Sequence, residues 1–259
     1  MSREIHKTAL VSKKAEIGEN VSIGPYCIIG DGVIIREDCR LISNVIIEGQ
    51  TEIGAECTIY PFSSIGFPPQ DLKYRGEKTG VRIGRRNIIR EYTTIHRATS
   101  GGEGLTEVGD SNYLMAYVHI AHDCRIGNSV VMANAATLAG HVIIEDFVIM
   151  GGLIAVHQFT RIGAYAMVGG FSGVGQDIAP YTMASGARAK LYGLNVIGLK
   201  RHGFSDETIN TLKKAYKMLF RENRTLREAL KLIKTELPET REIKHLVHFI
   251  EENKRGICR

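Results

Sequence analysis

Five of the nine histidines in this 259-residue chain lie between residues 96 and 157: His96, His119, His122, His141 and His157. Imidazole is the side chain best suited to moving protons near neutral pH. Spacing gives the cluster a geometry. Aliphatic residues recur every six positions through this region, and His122 is the third residue of its hexad. Gly140 holds the same position eighteen residues later, and Gln158 another eighteen on. If three hexads close one coil, His122, Gly140 and Gln158 stack in a column with a step of about 5 Å. His141 follows Gly140 and His157 precedes Gln158, so a narrow polar seam crosses an otherwise aliphatic pattern.

A histidine with a glycine one coil away suits acyl transfer. The imidazole takes the proton of an attacking hydroxyl. A glycine N–H, with no side chain in the way, approaches the acyl oxygen and holds the oxyanion. Asp123, next to His122, orients the ring as carboxylates do in triads. No Ser or Cys stands beside His122 in the column, which favours direct transfer over a covalent intermediate. A lone histidine is more often a hydrogen-bonded structural residue, but four in three adjacent coils argue for a site. A metal centre is the rival reading. Metal-dependent hexapeptide enzymes such as the γ-type carbonic anhydrases place two His about five residues apart and a third two coils earlier; no trio here has that pattern. Gln158, Gly140 and Asp123 are poor companions for a tight zinc site, so no metal is expected.

The scaffold that positions these residues is an internal repeat, which fixes architecture before anything else. From Val11, steps of six reach Ile17, Ile23, Ile29, Ile35, Leu41, Ile47, Ile53, Ile59 and Ile65. The register resumes at Ile83, Ile89 and Ile95, and again from Val108 through Val174, 25 hexads in all. The residue four after each aliphatic one is usually small, as at Val21, Cys27 and Ser63, and Gly often follows directly, as at Gly18, Gly24 and Gly54. This is neither helical nor simple strand periodicity. It predicts short strands and tight corners, with small residues in the corners and Gly relieving unusual backbone angles there. Three faces give about eight coils and a prism roughly 40 Å long; spacing does not show its hand. Insertions at 71–82 and 101–107 break the register. Loops on a rigid scaffold are where binding groups tend to sit.

After Pro180 helical signals take over. Ser205 is an N-cap candidate, Thr225 and Glu228 form a capping box, Pro238 stands near the start of a last helix and Gly256 near its stop. The chain is therefore read as two domains, 1–187 and 188–259, the second capping the open end of the prism.

Composition is globular, 44% hydrophobic and 24% charged. No window reaches the roughly 20 apolar residues of a membrane span, and residues 1–6 have no signal-peptide character; a soluble, cytoplasmic protein is expected. Five cysteines without a CxxC pair argue against disulfides or structural zinc. Net charge is +5, and from Arg188 onward Lys and Arg exceed Asp and Glu by 8. A basic tail suits an acidic partner or a phosphate-bearing ligand as well as a plain solvated surface.

The motifs His119-Ile120-Ala121-His122-Asp123-Cys124, Leu138-Ala139-Gly140-His141-Val142 and Ala155-Val156-His157-Gln158-Phe159 resemble the active-site coils of the UDP-N-acetylglucosamine O-acyltransferase family of lipid A synthesis. Gln70-Asp71-Leu72-Lys73-Tyr74 resembles its substrate loop, and Ile95-His96-Arg97, Gly193-Leu194-Asn195 and Gly198-Leu199-Lys200-Arg201 also match, so the resemblance covers nearly the whole chain. It implies a mostly β protein, a left-handed parallel β-helix of hexapeptide repeats with a small C-terminal α-helical domain. It implies a homotrimer with sites between neighbouring prisms. The activity implied is transfer of an (R)-3-hydroxyacyl group from acyl carrier protein to the glucosamine 3-hydroxyl of UDP-N-acetylglucosamine, with no cofactor beyond the phosphopantetheine thioester on the carrier. Neither nucleic acid nor a membrane span enters this scheme.

By resemblance, His122 is the general base, Asp123 its partner and Gly140 the oxyanion donor. Gln70, Asp71, Lys73, His96, His119, His141, His157 and Gln158 line the sugar and acyl site. Asn195 and Arg201 contact the nucleotide, and Gly170 limits acyl length, its missing side chain implying a long donor. Ile197 stands where the family pattern has an acidic residue, and His202 where some members have a second Arg, which bears on the nucleotide contacts. The later N-acyltransferase of the same fold carries an extra N-terminal domain, for which hexads starting at Val11 leave no room. N-acylation of a 3-amino sugar nucleotide and a noncatalytic β-helix scaffold are the remaining alternatives.

Overall fold

The computed structural model describes residues 4–259; Met1–Arg3, part of the segment read above for a leader, lie outside them. The hexads fold as two-residue strands on three faces of a triangular prism. Face 1 runs from Glu4–Ile5 to Thr182–Ser185 and ends on the antiparallel strand Lys190–Leu194, eleven strands in all. Face 2 runs from Leu10–Val11 to Gly173–Val174 with nine strands, and face 3 from Glu16–Ile17 to Arg161–Ile162 with eight. Every other pairing is parallel, and the register holds throughout except for a shift at Phe67↔His96, so the aliphatic residues stand in ladders, as in Ile95↔Ile120↔Leu138↔Val156. These side chains are almost fully buried, and truncating one to Ala would cost about 2–5 kcal/mol. The prism starts one strand before Val11, because Glu4–Ile5 already pairs with Ser22–Ile23.

The corners differ from the sequence expectation. The left-handed backbone falls on the third residue after the aliphatic one, and that residue is mostly not Gly: Asn20, Tyr26, Asp38, Phe62, Asp123, His141 and Phe159 all have φ near +60°. The glycine that directly follows the aliphatic residue has another task. A Cβ on Gly24 would collide with the Ile42 carbonyl of the next coil, and one on Gly54 with Gly84. Those glycines permit close stacking of coils, and the small residues after them point inward and are buried.

The insertions lie about three residues earlier than the broken register suggested. Gly80–Ile83 pairs with Gln50–Ile53 and with Leu105–Val108. The first loop is therefore 68–79 and the second 97–104. The stretches 80–82 and 105–107, read above as inserted, belong to face 3.

Four helices follow: α1 Val196–Arg201, α2 Asp206–Phe220, α3 Leu226–Glu236 and α4 Arg241–Glu251. Ser205 caps α2, and the Thr225/Glu228 capping box is formed. The helix α1 was not foreseen. Thr240 caps α4, so Pro238 stands just outside it, and α4 ends at Glu251, short of Gly256. Strand Lys190–Leu194 extends face 1 past the expected boundary at 187. The chain end also returns to the prism, with Cys258 N–H donating to the Asp177 carbonyl at 2.9 Å and Asp177 N–H to that of Gly256 at 2.9 Å. On α4, His245 sits 2.7 Å from Tyr181 Oη and 2.8 Å from Glu145 Oε2. All five cysteines are free and buried. No described helix is long and apolar enough to cross a membrane.

Candidate active site

The strands His119–Ile120, Thr137–Leu138 and Ala155–Val156 are neighbours on face 2. They therefore carry His122, Gly140 and Gln158 into one column at the edge where face 2 turns into face 3. The fit between the first two is tight: a Cβ on Gly140 would lie 2.5 Å from His122 Cε1 and 2.7 Å from Nε2. No backbone or side-chain acceptor among the described residues takes the Gly140 N–H.

A second column, missed in the sequence, runs beside it at the left-handed corner positions Asp123, His141 and Phe159. The Asp123 side chain is 3% exposed and its Oδ2 lies 2.8 Å from His122 Nδ1. That contact puts the Nδ1 proton toward Asp123 and leaves Nε2 to accept one. His141 Nε2 lies 3.7 Å from the same oxygen, and its ring stacks on Phe159 at 4.6 Å. Burial alone would raise the Asp123 carboxyl, but the hydrogen bonds from His122 and Thr99 outweigh it and hold it below the usual carboxylate range. A period-six count marks the corner; which residue there adopts φ near +60° is decided by the coil geometry.

His96 and His119 stand on face 2 edge to face, 5.2 Å between ring centres. Burial, helped by His119 and His122, pushes His96 down to about 4; burial, then His122, lowers His119 as well. Both rings are neutral at neutral pH. His119 Nδ1 is anchored 2.7 Å from Thr94 Oγ1. Gln158 is exposed, and His157 Nδ1 accepts from Arg255 Nη2 at 2.9 Å, a C-terminal contact with no signal in the hexad pattern. Cys124, next to Asp123, is inward and buried, its thiol pushed up to about 12 chiefly by burial, so it is no nucleophile.

His122, Asp123 and His141 also bring three potential ligand atoms within 4.8 Å of one another, a grouping the linear spacing did not reveal. The short Nδ1–Oδ2 hydrogen bond gives it the form of an acid–base dyad. A cavity of about 700 Å³ opens on the face 3 side, lined by Asp123, His141, Phe159, Arg125 and Arg161. A second, of about 480 Å³, continues face 2 past His157 between Val156, Val174 and Arg188.

The chain can be compared with known proteins on this basis. The acyl-[acyl-carrier-protein]–UDP-N-acetylglucosamine O-acyltransferase of Thermodesulfovibrio yellowstonii is 70% identical to it over 256 residues, 99% of each chain. The chain belongs to the UDP-N-acetylglucosamine O-acyltransferase family. The family model described as UDP N-acetylglucosamine O-acyltransferase, domain 2, matches residues 177–258. The solved acyltransferase of Bacteroides fragilis superposes with a TM-score of 0.96 at 38% identity, covering 98% of this chain and 100% of that one. That of Acinetobacter baumannii gives 0.96 at 44% identity, covering 98% and 99%. The prism is the left-handed parallel β-helix of these acyltransferases, with a small helical C-terminal part.

The remaining candidates of this acyltransferase sit apart from the dyad within one protomer. Gln70, Asp71 and Lys73 are on the 68–79 loop, where Asp71 Oδ1 accepts the Lys73 N–H at 2.9 Å. No hydrogen bond or ion pair among the described residues joins them to His122. Asn195 is 6% exposed and caps α1, its Oδ1 accepting from Gly198 N–H at 3.1 Å and its Nδ2 donating to the Tyr165 carbonyl at 2.9 Å. Both ends of its amide are engaged in holding α1, which ends on the exposed Arg201. Gly170 lies at the edge between faces 1 and 2, away from the His122 edge, and its neighbour Phe171 is 76% exposed.

Proposed function

We propose that the chain transfers an (R)-3-hydroxyacyl group from acyl carrier protein to the glucosamine 3-hydroxyl of UDP-N-acetylglucosamine, the first step of lipid A biosynthesis. The observation that carries the mechanism is the His122 Nδ1–Asp123 Oδ2 hydrogen bond of 2.8 Å beside the free Gly140 N–H. His122 Nε2 takes the proton from the sugar hydroxyl as its oxygen attacks the thioester carbon. Gly140 N–H holds the oxyanion of the tetrahedral intermediate. Collapse breaks the carbon–sulfur bond, and the phosphopantetheine thiolate recovers the proton from the His122 imidazolium. No covalent acyl-enzyme is needed, in keeping with the inert Cys124.

His96, His119, His141, His157 and Gln158 line the sugar and acyl path along face 2 and its edge. Gln70, Asp71, Lys73 and Arg201 reach it from a neighbouring subunit of a homotrimer. The edge between faces 1 and 2 supports self-association. There Tyr26, Phe62, Tyr92, Tyr117, Leu153 and Phe171 are exposed, and Phe62, Tyr92 and Tyr117 stack at 5.0 and 4.9 Å. The corresponding positions between faces 3 and 1 begin with Asn20, Asp38, Glu56 and Arg86, as expected of a solvated edge. The reaction takes place in the cytoplasm and uses no metal.

Incubation with UDP-N-acetylglucosamine, its 3-amino analogue and a ladder of 3-hydroxyacyl carrier proteins, read by mass spectrometry, tests this reading. An ester of the natural sugar nucleotide is expected. Acylation of the amino analogue alone would replace the assignment with N-acyl transfer.

A further inference from the structure

The 97–104 loop has a task that the column does not explain. Thirteen residues separate Ile95 from Val108 where an uninterrupted hexad would use six. The chain spends part of this excess placing Thr99 against Asp123. Thr99 is 7% exposed. Its backbone N–H lies 3.1 Å, and its Oγ1 2.7 Å, from Asp123 Oδ2. That is the same oxygen that faces His122 Nδ1 at 2.8 Å.

The other oxygen, Oδ1, is buried with no hydrogen-bond partner among the described residues. Gly102 of the same loop covers it, and a Cβ there would collide with Oδ1. From behind, Asp123 N–H donates to Thr106 Oγ1 at 2.9 Å. The loop is itself tied to the 68–79 loop, where Thr79 Oγ1 donates to the Ala98 carbonyl and Ser100 Oγ to Glu77 Oε1 at 3.3 Å.

We propose that Thr99 is a positioning residue for the acyl transfer, fixing the Asp123 carboxylate and sharing its Oδ2 charge so that His122 is oriented without being held too tightly as imidazolium. This rests on the reading of His122 as the base. The physical argument is competition for one acceptor. Two donors from Thr99 and one from His122 converge on Oδ2, so each weakens the pull on the others. Removing the hydroxyl leaves that oxygen more basic toward His122 and the carboxylate freer to turn. The protonated ring is then favoured, and a larger share of His122 is unable to accept a proton at a given pH. A charge-assisted hydrogen bond is among the stronger ones a buried carboxylate can lose.

The test is Thr99→Val, which keeps the backbone donor and removes the hydroxyl, beside Thr99→Ser, which keeps both. Steady-state rates are measured against pH for wild type and variants. The other groups facing the dyad are His96 and His119 on face 2, His141 on the edge, and Glu103, Arg125 and Arg161 on the face 3 side. All are the same in wild type and in both variants. For Thr99→Val, kcat falls about tenfold, the KM for the sugar nucleotide stays within about twofold, and the acid limb of the profile moves to higher pH. Thr99→Ser stays near wild type. A second readout does not need turnover: the His122 Nδ1–H resonance in histidine-labelled protein moves with Thr99→Val and not with Thr99→Ser.

Unchanged kcat and profile in a folded Thr99→Val protein overturn the proposal. So does an equal loss in both variants with an unmoved acid limb, which marks a purely structural residue. If wild type does not turn over these substrates, the functional reading fails instead, and the imidazole resonance alone decides for or against Thr99. If Val unfolds the loop, Thr99→Ala replaces it.

Discussion

The imidazole of His122 occupies the space a side chain on Gly140 would need: a Cβ there lies 2.5 Å from Cε1, 2.7 Å from Nε2 and 3.0 Å from Nδ1. The base and the oxyanion donor are thus fitted to each other across one coil of the prism, and each can be tested through the other. His122→Ala lowers kcat about 10²-fold or more, the scale of losing a general base, with the fold retained. Gly140→Ala pushes the ring aside without removing it, and a loss of about 10- to 100-fold is expected from the misplacement. Near wild-type turnover in either variant removes that residue from the mechanism. Circular dichroism melts check that the coils remain.

Acid should unfold the protein through its buried histidines before its carboxylates. Burial keeps His96 neutral down to about 4, with His119 and His122 adding to the effect, and His119 is lowered too. In the unfolded chain both protonate near 6.5. A histidine whose folded value is depressed contributes stability that is complete above its unfolded value and is lost as pH falls below it. Stability should therefore decline between pH 6.5 and about 4, by about 2–3 kcal/mol for His96. Asp123 and Glu145, both held low, add their losses at lower pH. Melting temperatures of wild type and His96→Asn at pH 7.5 and 5 give the check, with a smaller drop expected for the variant.

The carrier should dock electrostatically on α2. Among the basic residues on and beside α2, Arg221 is occupied: its guanidinium donates to the Leu191 carbonyl at 2.9 Å and to Tyr216 Oη at 2.7 Å. Lys200 is paired with Asp206 at 3.1 Å. Lys213, Lys214 and Lys217 are exposed and remain the candidates. Reversing all three should raise the KM for an acidic acyl carrier about tenfold at low salt, with the gap narrowing as salt screens exposed charges. An unchanged KM would place the carrier on another surface.

The aromatic edge between faces 1 and 2 makes a separate prediction about assembly. Tyr92 and Tyr117 stack in the middle of an apolar stripe that six corner positions share. Under the proposed trimer, in which loop residues 70–73 reach the dyad from a neighbour, Tyr92→Asp with Tyr117→Asp should shift the protein toward monomer in sedimentation, with activity falling in step. A double variant that remains a trimer would show that another face is buried.

Acyl length is tested at Gly170 on the same edge. A Cβ there would meet the Gly152 carbonyl at 3.1 Å, close but tolerable with a small shift. If the acyl chain runs along a groove completed by a neighbouring prism, Gly170→Met shortens that groove. Competition between short and long 3-hydroxyacyl donors should then swing from the long donor to the short one. An unchanged preference leaves Phe171 or Arg188 as the end wall.

A period of six survives in one dimension because each inward side chain meets its own equivalents above and below, so the sequence alone determined the prism, its three faces and the column of His122, Gly140 and Gln158. Local capping chemistry likewise marked Ser205 and the Thr225/Glu228 box. Tertiary structure decided what depends on meeting across the coil. It assigned the left-handed corners to Asp123, His141 and Phe159, because the third residue after each aliphatic one must turn the chain, whatever its type. It gave 80–82 and 105–107 to face 3, since pairing of Gly80–Ile83 with Gln50–Ile53 on one side and with Leu105–Val108 on the other supplies backbone hydrogen bonds that outweigh a weak aliphatic pattern. It bent the 97–104 loop back so that Thr99 donates to a carboxylate 24 residues away. It turned Asn195 into a helix cap and Arg255 into a partner of His157. Contacts between residues far apart in the chain leave no period to read, and they are what make an acid–base site out of a repeating scaffold.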